Sequence, residues 1–176
     1  MFEYPSFIVL DIPSPVADKV QKLRDCFDPV VAGFPVEITV VGSSGIGTLS
    51  KDQDKGKVFK ILDELAKTIT PFCTSFKGVA RFPETDIFYL VPNHPEKLAD
   101  IQKAIATTET RFDESPFPYT PHCTIRSFGK VSDEDIQALL SVKPPNQEFC
   151  LDMLSVYELV NVKCNLLHRI RLTGNG

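Results

Sequence analysis

The 176-residue sequence lacks any long hydrophobic run. Its longest aliphatic and aromatic stretches, such as Phe7-Ile8-Val9-Leu10, fall far short of the roughly 20 residues that a bilayer crossing needs. Met1-Phe2-Glu3 opens without the basic and then apolar segment of an export signal, so an intracellular, cytoplasmic protein is expected. A surplus of positive charge is also missing: 19 Lys and Arg against 23 Asp and Glu leave a formal charge of −4. That balance argues against gripping long nucleic acid by neutralising many phosphates, and it leaves room for a short ligand with a single phosphate. The five cysteines, at 26, 73, 123, 150 and 164, contain no Cys-x-x-Cys pair, and no histidine stands at metal-ligand spacing from them. Reduced thiols, no metal site and no cofactor are therefore expected.

What remains, 43% hydrophobic and 24% charged residues, is the balance of an ordinary globule of one domain, or of two small lobes sharing one core. Ser6 to Ile12 reads as a strand. Ser14 is placed to cap the helix that follows, with Pro15 in its first turn and Val16, Val20, Leu23 and Phe27 as its apolar stripe. Pro35 to Val41 alternates as a strand and ends in Gly42-Ser43-Ser44-Gly45-Ile46-Gly47. That turn lacks the Gly-Lys-Ser/Thr ending of a nucleotide-triphosphate loop, so a tight strand-to-helix connection is expected. A second helix carries Val58, Ile61, Leu62, Leu65 and Ile69. Strands are expected at 72–82 and 86–91, a helix around Leu98, Ile101 and Ile105, and a strand at 120–127. Ser132-Asp133-Glu134-Asp135 opens a short helix, and 149–159 and 162–172 close the chain as a strand pair. Several strands are consecutive and hairpin-joined, which predicts an α+β fold with a largely antiparallel sheet.

Pro35-Val36-Glu37-Ile38-Thr39-Val40 and Pro121-His122-Cys123-Thr124-Ile125 are alike, each with a polar-x-Thr-apolar core after a proline, 85 residues apart at their threonines. Duplication and chance both account for a match this short. On a strand, residues two apart share a face, so His122 and Thr124 point together while Cys123 and Ile125 turn to the core; Glu37 and Thr39 pair in the same way. If the strand stays regular, Arg126 extends the row. The result is a proton carrier, a hydroxyl and a cation on one surface, which suits a phosphodiester. Cys123 faces away from its neighbour His122, so a Cys/His nucleophile pair is not expected.

The Pro-His-x-Thr-apolar segment at 121–125, with this order of elements from Phe7 to Leu172, resembles the two-histidine (2H) phosphoesterases, which include the LigT-like 2′-5′ RNA ligases and cyclic nucleotide phosphodiesterases. The resemblance implies one domain over residues 1–176, built of two pseudo-symmetric lobes with largely antiparallel sheets, flanking helices and a central groove. It implies two His-x-Thr/Ser motifs acting as base and acid on a cyclic or 2′-5′ phosphodiester without a metal, their hydroxyls holding phosphate oxygens. Carried onto this chain, His122 and Glu37 occupy the catalytic positions and Thr39 and Thr124 the phosphate-holding ones, with Arg126 as an added clamp. The implied partner is a small nucleotide or short RNA end, bound by a monomer without membrane contact.

Position 37 departs from the pattern, holding Glu where the family has its first histidine. A carboxylate with an ordinary pKa of about 4.3 is a weaker base than histidine at about 6.5, and it repels phosphate. Buried, it could hold a proton and act as the acid; it could also clamp a charged His122, or mark a site that binds without turnover. Lys77, Arg81, Lys163, Arg169 and Arg171 lie on strand segments, either lining a groove for an anion or facing solvent. His94 reads as a helix-leading turn and His168 as a structural strand histidine.

Overall fold

The structure, a computed structural model, describes residues 1–175. The element order is β1 (Ser6–Asp11), α1 (Val16–Phe27), β2 (Glu37–Val41), α2 (Lys55–Ala66), β3 (Phe72–Thr74), β4 (Phe76–Arg81), β5 (Phe88–Pro92), α3 (Pro95–Ala106), β6 (Cys123–Arg126), α4 (Asp133–Leu140), β7 (Phe149–Leu151), β8 (Met153–Val160) and β9 (Lys163–Arg171). All strand pairs in these elements are antiparallel, and the fold is α+β as expected. One sheet runs β2-β1-β8-β9, a second runs β4-β5-β6, and β3 and β7 form a two-stranded ribbon. Among the described residues, no helix is long and apolar enough to cross a membrane.

The period-two pattern decides which face is buried. Ile38 and Val40 of β2 and Ile8 and Leu10 of β1 are fully inaccessible, whereas Glu37 and Thr39 face the other way. Cys123 and Ile125 of β6 are buried in the same fashion, with Phe88 and Leu90 of β5 beside them. Each such aliphatic or aromatic side chain contributes roughly 1.5–3 kcal/mol on burial. Residues of both sheets belong to one apolar cluster. The helices cross over between them, since α1 packs on β6 and α3 packs on β2.

Several local expectations change. The expected strand at 72–82 breaks at Ser75 and that at 149–159 breaks at Asp152, because the chain leaves the β3–β7 ribbon there to join the larger sheets. In that ribbon Cys73 stands directly across from Cys150, and the two form a disulfide. This corrects the expectation that all five thiols are reduced; the wide spacing in sequence hid a cross-strand pair. Ser14 does not cap α1, since its hydroxyl donates to the Asp18 carboxylate instead. Ser132 does cap α4, accepting from the Asp135 N–H, and Asp54 caps α2 through the Lys57 N–H. The glycine-rich turn is a tight connection: at Gly47, with φ +88°, any Cβ would strike the Asp113 carbonyl.

Candidate active site

Two charged residues, one on α1 and one just past its end, place the motif strands. The innermost row of this helix is Val16, Val20 and Arg24, with Asp28 following at the same spacing just past its end. Arg24 is 1% exposed and Asp28 3%. Arg24 donates from Nε to the Thr124 carbonyl (2.9 Å), and from Nη1 to the carbonyls of Phe34 (3.0 Å) and Pro35 (2.9 Å). Asp28 accepts from the N–H groups of Val30 and Val31 on one oxygen, and from those of Ser127 and Phe128 on the other. Burial pushes its carboxyl up, but these four bonds outweigh that and hold it below the usual carboxylate range. Burying a guanidinium costs several kcal/mol, a cost that its charge-assisted bonds to carbonyls offset.

These ties set the segment 117–128 antiparallel alongside 34–45. The Phe34 and Phe128 rings meet edge to face at 6.0 Å, the Tyr119 hydroxyl donates to the Thr39 carbonyl (3.0 Å), and the Gly45 N–H donates to the Phe117 carbonyl (2.9 Å). The two similar motifs are thus neighbours in space.

His122 immediately precedes β6, and its Nδ1 lies 2.6 Å from the Thr120 carbonyl. A carbonyl only accepts, so Nδ1 carries the hydrogen and the neutral ring keeps its lone pair on Nε2, which makes no hydrogen bond among the described residues. The rings of Phe82 and Tyr89 pack on the imidazole at 5.1 and 5.2 Å. Burial pushes the His122 pKa below the usual histidine value, against the pull of the Thr120 bond, so the ring is neutral at pH 7. His122 and Thr124 line a cavity of about 540 Å³ walled by Phe82, Pro83, Ile87, Phe117 and Pro118.

Glu37 and Thr39 are not among the residues that line this cavity. They bond each other, the Thr39 hydroxyl donating to Glu37 Oε2 at 2.9 Å. Burial pushes Glu37 up to about 7; Arg24 and the Thr39 bond oppose it, and Asp11, paired across from Glu37 on β1, adds to it. At neutral pH this carboxyl therefore holds its proton about half of the time.

Arg126 does not extend the row. The β5–β6 register slips between Phe88 and Tyr89, and Arg126 is 7% exposed, donating to the carbonyls of Asp86, Gly129 and Lys130. It is a loop anchor outside the cavity lining. Cys123 is fully buried with its thiol pushed up to about 11 by burial, which suits a core residue and not a nucleophile. Arg169 and Arg171 line a second, more open cavity of about 490 Å³ with Asp11 and Tyr157; there Arg169 pairs with Asp11 at 3.0 Å. Arg81 pairs with Asp86. His168 bonds Asp63 and stacks on Phe59, and His94 precedes α3 with its Nδ1 near Glu96, so both have structural partners. No cluster of three or more His, Cys, Asp or Glu residues fit to hold a metal occurs among the described residues.

Sequence reasoning missed Arg24, Asp28, Tyr119 and the Phe82/Phe117 walls. The i, i+4 spacing of Val16, Val20, Arg24 and Asp28 was the available signal, because it continues the buried row into charge.

An antiparallel α+β fold of two sheets and a two-stranded ribbon, with a Pro-His-x-Thr segment beside a Glu-x-Thr strand, defines the class of protein. The model of the 2′-5′ RNA ligase superfamily matches residues 12–163, so the chain belongs to that family. Escherichia coli LigT in complex with 3′-AMP shares the fold, with a TM-score of 0.65 at 18% identity over 97% of this chain and 98% of that one. The Thermus thermophilus protein TT0787 superposes with a TM-score of 0.63 at 14% identity, covering 98% of this chain and 100% of its own. LigT has also been crystallised with ATP, in a structure that matches with a TM-score of 0.60 at 18% identity over 97% of this chain and 98% of that one. No curated protein matches the sequence.

Proposed function

We propose that the protein is a phosphodiesterase that opens a 2′,3′-cyclic or 2′-5′ nucleotide linkage by acid–base chemistry in the His122 cavity. The observation that carries this reading is the state of His122. It is a neutral imidazole whose Nδ1–H is fixed on the Thr120 carbonyl, which leaves Nε2 as a lone-pair base in a cavity it shares with the Thr124 hydroxyl. Water attacks phosphorus as Nε2 takes its proton, the bond from phosphorus to the ribose oxygen breaks, and that oxygen takes a proton from Glu37, a transfer that requires the bound ligand to extend past the cavity lining to which Glu37 does not belong. Thr124 donates to a nonbridging oxygen, and Thr39 holds Glu37 in place.

A second reading, binding of a nucleotide without turnover, is favoured by one observation. Glu37 and Thr39 satisfy each other away from the cavity lining. Hydrolysis of 2′,3′-cyclic nucleotides and 2′-5′ linked dinucleotides with chelator present separates the two. On the first reading, His122→Ala lowers kcat by about 100-fold or more, and Glu37→Ala lowers it as well. Wild-type protein that binds these compounds and never cleaves them refutes the first reading and supports the second.

A further inference from the structure

We propose that the His122 cavity selects its ligand by charge, accepting a phosphodiester with one negative charge and rejecting phosphate monoesters and polyphosphates. The proposal rests on the reading of this cavity as the nucleotide site, and it concerns a property that turnover does not report. Apart from His122, every side chain lining the cavity is apolar or a neutral hydroxyl. The hydroxyls belong to Ser43, Ser44, Thr85, Thr120, Thr124 and Ser127. Hydroxyl donors bind phosphate oxygens through hydrogen bonds but do not neutralise a second charge, and binding a doubly charged group in an apolar-walled cavity carries a much larger desolvation cost.

The two arginines adjacent in sequence to the lining, Arg81 and Arg126, are already committed, as is the buried Arg24, and Lys130 is exposed and outside the lining. Arg81 holds the Thr85 carbonyl and the Asp86 carboxylate, Arg126 holds three carbonyls, and Arg24 holds those of Thr124, Phe34 and Pro35. Recruiting any of them to a phosphate would strip buried carbonyls of their donors. His122 supplies no fixed cation either, because its ring is neutral. A phosphodiester keeps one negative charge, whereas a monoester carries nearly two at pH 7 and ATP more. Opening a cyclic diester adds a charge to the ligand, so in this cavity the product is bound more weakly than the substrate and leaves.

The test is equilibrium binding at two salt concentrations of a slowly hydrolysed phosphorothioate of 2′,3′-cyclic AMP, of 3′-AMP and of ATP. The expected result is that the cyclic diester binds about tenfold tighter than 3′-AMP or more, with weak dependence on salt. Ser43 is exposed at the cavity rim, and its hydroxyl makes no hydrogen bond among the described residues. Ser43→Lys therefore adds a cation without removing a contact, and it is expected to raise the affinity for 3′-AMP more than that for the diester. Equal or tighter binding of 3′-AMP or ATP to the wild type overturns the proposal, as does binding of none of the three. Hydrolysis of cyclic nucleotides with no charge preference would sink the selectivity and leave the phosphodiesterase reading standing. Charge-selective binding without hydrolysis would do the reverse.

Discussion

Replacing Glu37 by Gln should make the protein more stable, but only at the upper end of its pH range. The folded state raises the Glu37 pKa from 4.5 to about 7 through burial. Between those two values the folded chain keeps a proton that the unfolded chain has released. Stability contributed at this site is therefore complete below the unfolded pKa and declines as pH rises through the folded one. A displacement from 4.5 to about 7 is worth roughly 3 kcal/mol at 1.36 kcal/mol per pH unit, and partial solvent access trims this to about 2. Gln keeps the acceptor for the Thr39 hydroxyl and carries no charge, so the variant should match the wild type near pH 4 and exceed it by about 2 kcal/mol near pH 8. The chain has no tryptophan, so urea unfolding is followed by far-UV circular dichroism, with Cm and m determined at each pH. A constant difference across the range, or a variant less stable at the alkaline end, would refute the assignment of a buried, half-protonated carboxyl at position 37.

Arg24→Met removes the donors to the carbonyls of Thr124, Phe34 and Pro35. Each carbonyl left without a partner costs about 1–3 kcal/mol, so urea unfolding should show a loss of about 3–5 kcal/mol, less whatever desolvation of the guanidinium had cost. A loss under about 1 kcal/mol would mean that the bare charge had cancelled its own bonds. Replacing both Cys73 and Cys150 by Ser opens a link across 77 residues; the melting midpoint should fall by an amount equivalent to about 2–4 kcal/mol, and adding a reductant should shift the wild type toward the variant and leave the variant unchanged.

The parts of this fold that were readable in advance are those governed by local periodicity. Ile38 and Val40 alternate with Glu37 and Thr39, and Cys123 and Ile125 with His122 and Thr124, so the buried and open faces of both motif strands followed from spacing alone. What was unreadable depends on a distant partner. Arg126 sits two residues after Thr124, and only the slip in pairing against β5 sends it to the carbonyls of a loop. Cys73 and Cys150 became a pair only because two three-residue strands align. The i, i+4 spacing from Val16 and Val20 puts Arg24 and Asp28 on the core-facing row, where two opposite charges would be expected to pair with each other. Their charges go instead to backbone groups of segments up to 100 residues away, and no periodicity encodes that choice.

Arg24 also bears on the glutamate at position 37. A site that works with two histidines needs one neutral and one protonated ring at the same pH. Here the order of the two groups is inverted from what their types suggest. Burial lowers His122 below the usual histidine value and raises Glu37 to about 7, so near neutrality the carboxyl still holds its proton when the imidazole has lost its own. Arg24 limits that inversion, because its guanidinium draws Glu37 downward from the value that burial alone would impose. Arg24 also anchors Thr124 and the approach to β2 through its carbonyl bonds. The residue that fixes the spacing of the two motif strands is thus the one that keeps the carboxyl close enough to neutrality to give up a proton. On the proposed phosphodiesterase reading, the glutamate at this position serves as the acid and His122 as the base, and the two pKa displacements are what that assignment requires.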